Sequence, residues 1–324
     1  RTRFSRGYKI SSFTTPVLIS NNDLLVLPQV DCDQSYTMCL DVAEQDQLQK
    51  NPDNYVYIQS ALLYTHSDGT RRIRIHNLCL PVANKLYELY DSIDVEALVS
   101  YYLKATIDKI FKTKKCNNSI LATESNYKTL VSNVLSSQQS LKKQLPDNLI
   151  YLPLYILGML KHRVCCKDEL DRKLDVDVSN YLRIKLQKLN VDDCMAFIYP
   201  RIYNFTEILS NPSIGSYDEN GMIILPSLTS TYYSGLDADG MFLIDNGFML
   251  VLYTKMNTNK RLINSVFGVS NLSELLPPIL EDNIFAEADE IKQALMNIID
   301  YIRSTKSLFQ NLIFVFEGTE GERM

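Results

Sequence analysis

Tyr55 to Leu80 reads YVYIQSALLYTHSDGTRRIRIHNLCL, and the stretch is a hairpin in sequence form. Its first arm, Tyr55 to Tyr64, is rich in β-branched and aromatic residues, which suit a pleated surface. His66-Ser67-Asp68-Gly69 is turn chemistry, because Gly69 takes a positive φ at little steric cost. The second arm, Arg71 to Leu80, alternates in its first half. Arg72, Arg74 and His76 fall on one face, and Ile73, Ile75 and Asn77 on the other. Successive strand side chains point to opposite faces, so Arg72 and Arg74 stand side by side, roughly 6.6 Å apart along the strand. Such a strand is expected to bury its isoleucines and to display a pair of guanidiniums, a platform for carboxylates. Two readings stay open: the arginines hold a carboxylate ligand, or they solubilise an edge strand and pair with their own chain.

The 324 residues suggest two domains, or three small ones. Hydrophobic content of 46% and a charged fraction of 22% are those of a globular protein with ample core material. A net charge of −5 does not advertise nucleic-acid binding. The opening is locally basic, with Arg1, Arg3, Arg6 and Lys9 free of intervening acids. These four either face further protein or touch anionic lipid. Seven scattered cysteines without a CxxC fit reduced thiols better than a disulfide framework, and Cys165-Cys166 read as small residues near a helix end. The longest apolar run, Leu149 to Leu160, is interrupted by Pro153 and is too short to span a bilayer. The chain lacks an initial Met and is expected to be a piece of something longer.

Around the hairpin, residues 1 to about 82 read as short strands: Phe13 to Ile19 with Pro16 inside, a buried run at Leu24 to Leu27, and Tyr36 to Val42. They suggest an incomplete β-sandwich whose missing strands lie before Arg1. After Pro81 the period becomes helical. Val95 to Ile110 follows an N-cap expected at Asp94, and further helices are expected over Tyr127 to Leu141, Leu149 to Leu160, Val178 to Leu189 and Cys194 to Ile198. From Tyr199 the pattern is mixed. A strand is expected at Met222 to Leu225, and Asp245-Asn246-Gly247 joins two apolar arms, Met241 to Ile244 and Phe248 to Tyr253, as a central hairpin. Helices are expected over Asn259 to Phe267 and Ile284 to Ser304, and a final buried strand over Leu312 to Phe316. The fold class is therefore multidomain. It comprises a partial β-sandwich (1–90), an all-α helical domain (91–200) and an α/β domain (201–324).

Motifs of catalysis are missing. His66, His76 and His162 have no acid or nucleophile at motif spacing, and no GxSxG, HExxH, GxxxxGK[ST] or GxGxxG occurs. Asp237-Ala238-Asp239-Gly240 starts like a calcium loop but lacks the later ligands, and reads as a turn. Acidic pairs Asp192-Asp193 and Glu281-Asp282 read as helix-start residues favouring the macrodipole.

Several elements together carry a resemblance. They are Arg6-Gly7, Asp23 to Pro28 (DLLVLP), Val30-Asp31-Cys32-Asp33, Gln59 to Thr65 (QSALLYT), Gly69 to Pro81 (GTRRIRIHNLCLP), Leu152 to Lys161, Tyr199 to Tyr203 (YPRIY) and Met241 to Tyr253 (MFLIDNGFMLVLY). In this order they resemble the C-terminal half of the Sec24 family, the cargo adaptors of the COPII vesicle inner coat. Two departures are Met159 in place of a Leu and Tyr253 where a Trp is frequent. The resemblance implies a gelsolin-like third domain that stops short of a terminal helix. It implies a non-enzymatic role in ER-to-Golgi transport, in which short sorting signals in the cytosolic tails of cargo and SNARE proteins are bound. Arg72 and Arg74 would form part of the pocket for acidic signals. It further implies a Sec23-type partner, a peripheral cytoplasmic place at the ER membrane surface, no nucleic acid, and no cofactor here. A structural zinc would sit only in a preceding zinc-finger domain. The other readings are a GTPase-activating coat subunit of the Sec23 type and an actin-binding gelsolin relative.

Overall fold

The computed structural model describes residues 1–14, 17–21, 23–30, 34–43, 54–114, 116–137, 144–162, 164–165, 175–275, 281, 289–306 and 308–319. The chain divides into two compact units, residues 1–191 and 192–324. The division falls nine residues before the 200/201 boundary drawn from the sequence, so a helix at 191–198 sits by its contacts with the second unit.

The first unit opens with strands β1 (Thr2–Phe4), β2 (Tyr8–Phe13), β3 (Leu18–Asn21), β4 (Leu24–Val26), β5 (Met38–Val42), β6 (Tyr55–Thr65) and β7 (Arg71–Pro81). They form a three-stranded sheet in the order β1-β6-β7 and two antiparallel ribbons, β2-β5 and β3-β4. The strand expected over Phe13 to Ile19 is instead two. Phe13 ends β2 and Leu18 begins β3, and Pro16, which prompted the expectation of a bend, lies outside the described residues. Nor is the Leu24 run buried, for Val26 is 44% exposed. The hairpin forms in the expected register, Tyr55 against Pro81 through Thr65 against Arg71, with Gly69 at φ +83° in the turn. Its isoleucines do not follow expectation: Ile73 and Ile75 are 68% and 55% exposed. Alternation assigned them a face correctly, but both side chains on it stay largely exposed.

Helices follow. They are α1 (Leu86–Asp91), which the sequence pattern did not announce, α2 (Val95–Thr113), α3 (Cys116–Ser137), α4 (Leu152–Lys161) and α5 (Val176–Lys188). Asp94 caps α2 by accepting from the Glu96 and Ala97 amides. The expected second helix starts earlier, at Cys116, and its distal Leu141 lies outside the described residues. Pro153 is accommodated in the first turn of α4, where its missing N–H costs nothing. α2 is the hub. Val99, Leu103 and Ile107 are fully buried at spacings of four, and α2 packs against α3, α4 and α5. Polar ties accompany this packing: the Thr106 and Thr123 hydroxyls lie 2.6 Å apart between α2 and α3. Lys104, 2% exposed, donates to Ser35 Oγ at 2.6 Å and to the Leu189 carbonyl at 2.7 Å. It thereby links the segment before β5 to the end of α5.

Beside Lys104 on α2, Tyr101 has its phenol pushed up to about 12 from the ordinary 10.0, first by hydrogen bonding with the Cys39 thiol of β5 and then by burial. A group whose folded pKa is raised contributes stability that is complete below the unfolded value. That contribution is lost as pH climbs from 10.0 through about 12. Tyr101→Phe is therefore expected to delete a phenolate titrating at about 12 from the ultraviolet absorbance titration and to flatten the alkaline loss of stability. Loss of a phenolate that titrates near the ordinary 10.0 instead would contradict the contact.

The second unit begins with α6 (Val191–Ile198) and continues through β8 (Arg201–Asn204), β9 (Leu228–Thr229), β10 (Met241–Asp245), β11 (Met249–Thr254), α7 (Lys260–Phe267), α8 (Glu290–Ser304) and β12 (Asn311–Phe316). Its five-stranded sheet runs β12-β11-β10-β8-β9, with β11 and β12 parallel and the rest antiparallel. The β10–β11 hairpin is central and covered, as Met241, Phe242, Leu243, Leu250 and Leu252 show by exposures of at most 1%. One face packs on α7 and α8 through Leu262, Val266, Leu295 and Ile298. Asn259, expected as the first residue of the helix, is instead the N-cap of α7, and Gly268 at φ +71° ends it. The expected start of the long helix near Ile284, with Ala288, lies outside the described residues. Two expectations change. Met222 to Leu225 is not a strand but carries a single bridge, Tyr217 to Ile223. The last strand is an edge rather than an interior one, so Ile313 is 37% exposed while Leu312 is buried. The Asp237–Gly240 segment is indeed a turn, closed by the Gly240 amide on the Asp237 carbonyl.

Candidate functional site

The β6–β7 hairpin puts Arg72, Arg74 and His76 opposite Tyr64, Leu62 and Ser60, all on one face of the sheet. Every residue of β7 is exposed, and β7 is the sheet's edge. The two arginines are held differently. Arg72 donates from Nη2 to Asp68 Oδ2 at 2.5 Å and from Nε to Thr70 Oγ1 at 2.9 Å. Asp68 is itself fixed by the turn: its Oδ1 accepts from the Thr70 amide at 2.8 Å and from the Thr70 hydroxyl at 2.6 Å. These Thr70 bonds first, with His66 and Arg72 adding less, hold the Asp68 carboxyl below the usual carboxylate range. Among the described residues, no side-chain hydrogen bond or ion pair engages Arg74.

Arg72 pairs with its own chain, and Arg74 stands as an open cation on the same face. What this arrangement can do chemically is accept carboxylates by charge-assisted hydrogen bonds.

The opposite face of the same sheet carries a groove of about 490 Å³ lined by Arg3, Tyr57, Gln59, Asn77 and Cys79 among others. Gln59 donates to Asn77 across it at 3.0 Å. Of the basic opening residues, Arg1 is tied to Asp23 at 2.7 Å, and that bond first holds the Asp23 carboxyl below its usual range. Among the described residues no group of three or more His, Cys, Asp and Glu is placed to hold a metal ion. Nor does any described helix have the length and apolarity to cross a membrane.

The most buried charged cluster lies in the second unit, and no sequence motif pointed to it. Lys306 Nζ sits 3.2 Å from Asp193 Oδ1 and 3.3 Å from Asp245 Oδ2, the three side chains being 3%, 2% and 0% exposed. Asp245 Oδ1 also accepts from Gln310 Nε2 at 2.7 Å and from the Gly247 amide at 2.9 Å. Asp193 was expected only to favour the dipole of its helix. It does lie in the first turn of α6, but its carboxylate also joins that helix to the β10–β11 turn. Phe197 packs edge-on against Phe248 at the same junction, with ring centroids 5.2 Å apart. The other acidic pair is likewise more than a helix start: Glu281 holds Arg303 through two bonds of 2.8 and 2.9 Å, while Asp282 lies outside the described residues. No local signal pairs residues so far apart in sequence, so this cluster was beyond a sequence reading.

Comparison with known proteins places these parts. Residues 1–83 match the Sec23/Sec24 beta-sandwich domain, and residues 94–196 match the Sec23/Sec24 helical domain. The chain carries Sec23/Sec24 domains. Sec24 proteins are similar along the whole chain. The protein transport protein SEC24 of Dictyostelium discoideum is 26% identical over 100% of the chain and 32% of its own length. SEC24 A of Arabidopsis thaliana is 28% identical over 100% of the chain and 30% of its own length. Human Sec24A is 28% identical over 97% of the chain and 28% of its own length. The chain thus spans about a third of the Sec24 relatives it matches. The crystal structure of the human COPII-coat protein Sec24c superposes with a TM-score of 0.80 at 23% identity, over 99% of this chain and 41% of that one. At that identity the likeness speaks for the fold, including the sheet-containing C-terminal part.

Proposed function

We propose that this chain is part of a COPII coat subunit that selects cargo for ER-to-Golgi vesicles, without catalysis, by binding acidic sorting signals in cytosolic tails. The observation that carries the reading is whole-chain similarity to Sec24 transport proteins, with Arg72 and Arg74 on one exposed face of the hairpin. The chemistry supports it. An arginine holds a carboxylate through parallel charge-assisted hydrogen bonds, each worth roughly 1.5–3 kcal/mol. Weak single-signal affinity is compatible with a coat, because many subunits on one membrane supply avidity. A Sec23-type partner, the ER membrane surface and the tails of cargo and SNARE proteins are the partners this role needs. No metal or cofactor is assigned to this chain. The GTPase-activating and actin-binding readings are not favoured, since Sec24 transport proteins are similar along the whole chain.

The test is binding of an acidic signal peptide to the full-length subunit, measured by fluorescence anisotropy. Arg72→Ala combined with Arg74→Ala is expected to weaken binding by at least about tenfold, the equivalent of 1.4 kcal/mol, with the melting temperature unchanged. A double variant that binds like wild type, or that unfolds, would remove these arginines from the site.

A further inference from the structure

Arg72 already has a carboxylate on it. The side-on edge of its guanidinium, Nε with Nη2, is filled by Thr70 Oγ1 at 2.9 Å and Asp68 Oδ2 at 2.5 Å. This is one of the two edges through which an arginine grips a carboxylate with two parallel bonds, the other being Nη1 with Nη2. Asp68 is well placed to hold it, since Thr70 pins Oδ1 from two sides and leaves Oδ2 turned to Arg72. The pair is also solvent-open, with the Arg72 and Asp68 side chains 45% and 44% exposed. Exposed ion pairs are weak, so an incoming carboxylate can replace one. Two residues along the same face, Arg74 has no such partner among the described residues.

We propose that Asp68 is a built-in competitor for the signal carboxylate at Arg72, and that it sets the charge a signal must carry to engage both arginines. The inference rests on the reading of Arg72 and Arg74 as signal receptors. A ligand with one carboxylate takes Arg74 and leaves the Asp68–Arg72 pair intact. A ligand with two carboxylates at strand spacing, roughly 6.6 Å apart, engages the side-on edge of Arg72 only by displacing Asp68. The turn therefore discriminates diacidic from monoacidic segments without a residue that touches only one of them.

Asp68→Asn is the discriminating substitution. Its side-chain oxygen can still accept from Thr70, so the turn is kept, but the amide that replaces Oδ2 cannot accept from a guanidinium. Binding is measured on the full-length subunit with an extended peptide carrying glutamates two residues apart, and with the same peptide after one Glu-to-Gln change. Asp68→Asn is expected to tighten the diacidic peptide about two- to fivefold, the range of an exposed ion pair, and to leave the monoacidic peptide unchanged. In an Arg72→Ala background the gain disappears. Tightening that persists without Arg72 would make the effect one of net charge and overturn the proposal. So would weaker or equal binding by Asp68→Asn while Arg72→Ala still lowers wild-type affinity; the receptor reading would then survive alone. If neither wild type nor Asp68→Asn binds either peptide, the receptor reading falls and takes this inference with it.

Discussion

Lys306→Met is expected to destabilise the second unit by roughly 3–5 kcal/mol, the range for removing one partner of a buried ion pair. The lysine is the cation seen between Asp193 and Asp245, and all three side chains are at most 3% exposed. Met replaces the aliphatic stem with little change in volume, so the loss isolates the charge. Two carboxylates would remain in a sealed site. Asp245 would keep the Gln310 and Gly247 donors on one oxygen, but its other oxygen has no hydrogen-bond partner. The measurement is hydrogen exchange of the β10–β11 amides together with a urea unfolding midpoint. Adding Asp193→Asn and Asp245→Asn to Lys306→Met should recover much of the loss, because the uncompensated charges go with it. A single variant as stable as wild type would mean that the cluster is hydrated and that its members are not paired as described.

Gly215→Ala is the second large effect. Gly215 has φ +80°, and a Cβ there would lie 2.6 Å from the Cα and Cβ of Ala294 and 2.7 Å from its carbonyl oxygen. Those are atoms of the α8 backbone and its shortest side chain, which have no flexible end to give way. The glycine carbonyl is also tied to the helix by Asn297 Nδ2 at 2.9 Å. A left-handed backbone costs a residue with a Cβ about 1–3 kcal/mol, and displacing α8 adds about 1–3 kcal/mol of overpacking. Gly221 supplies the control. It has φ +74° but nothing within 4 Å of where a Cβ would stand, so Gly221→Ala carries the backbone cost alone. Equal midpoint shifts for the two variants would show that Gly215 is not seated on α8.

Much of this protein was legible in single segments. Asp94 announced its helix because a cap is a local hydrogen bond, made within three residues. Asp-Gly and Asn-Gly announced the two hairpins because a positive φ is a property of one residue. The face shared by Arg72 and Arg74 followed from the two-residue period of a strand. The family resemblance, which rests on short motifs, led to the same hairpin. Less was legible where local cues were thin. α1 is only six residues long and has no buried side chain, so it left no apolar stripe to read. The break between β2 and β3 was hidden inside one β-rich run.

What the sequence by itself determined is the order of elements, the strand and helix periods, and which side chains share a face. Tertiary structure alone decided what meets each face. Ile73 and Ile75 have the right alternation for burial yet stand 68% and 55% exposed, because burial needs a second layer that alternation cannot supply. Asp193, Asp245 and Lys306 each look like surface charges in their own segments, and become a sealed cluster only when α6, the β10–β11 turn and the chain after α8 converge. At the hairpin, alternation makes the two arginines equivalent. Folding of the turn made them unequal, for the Asx geometry of Asp68 and Thr70 aims a carboxylate at Arg72 and leaves Arg74 open.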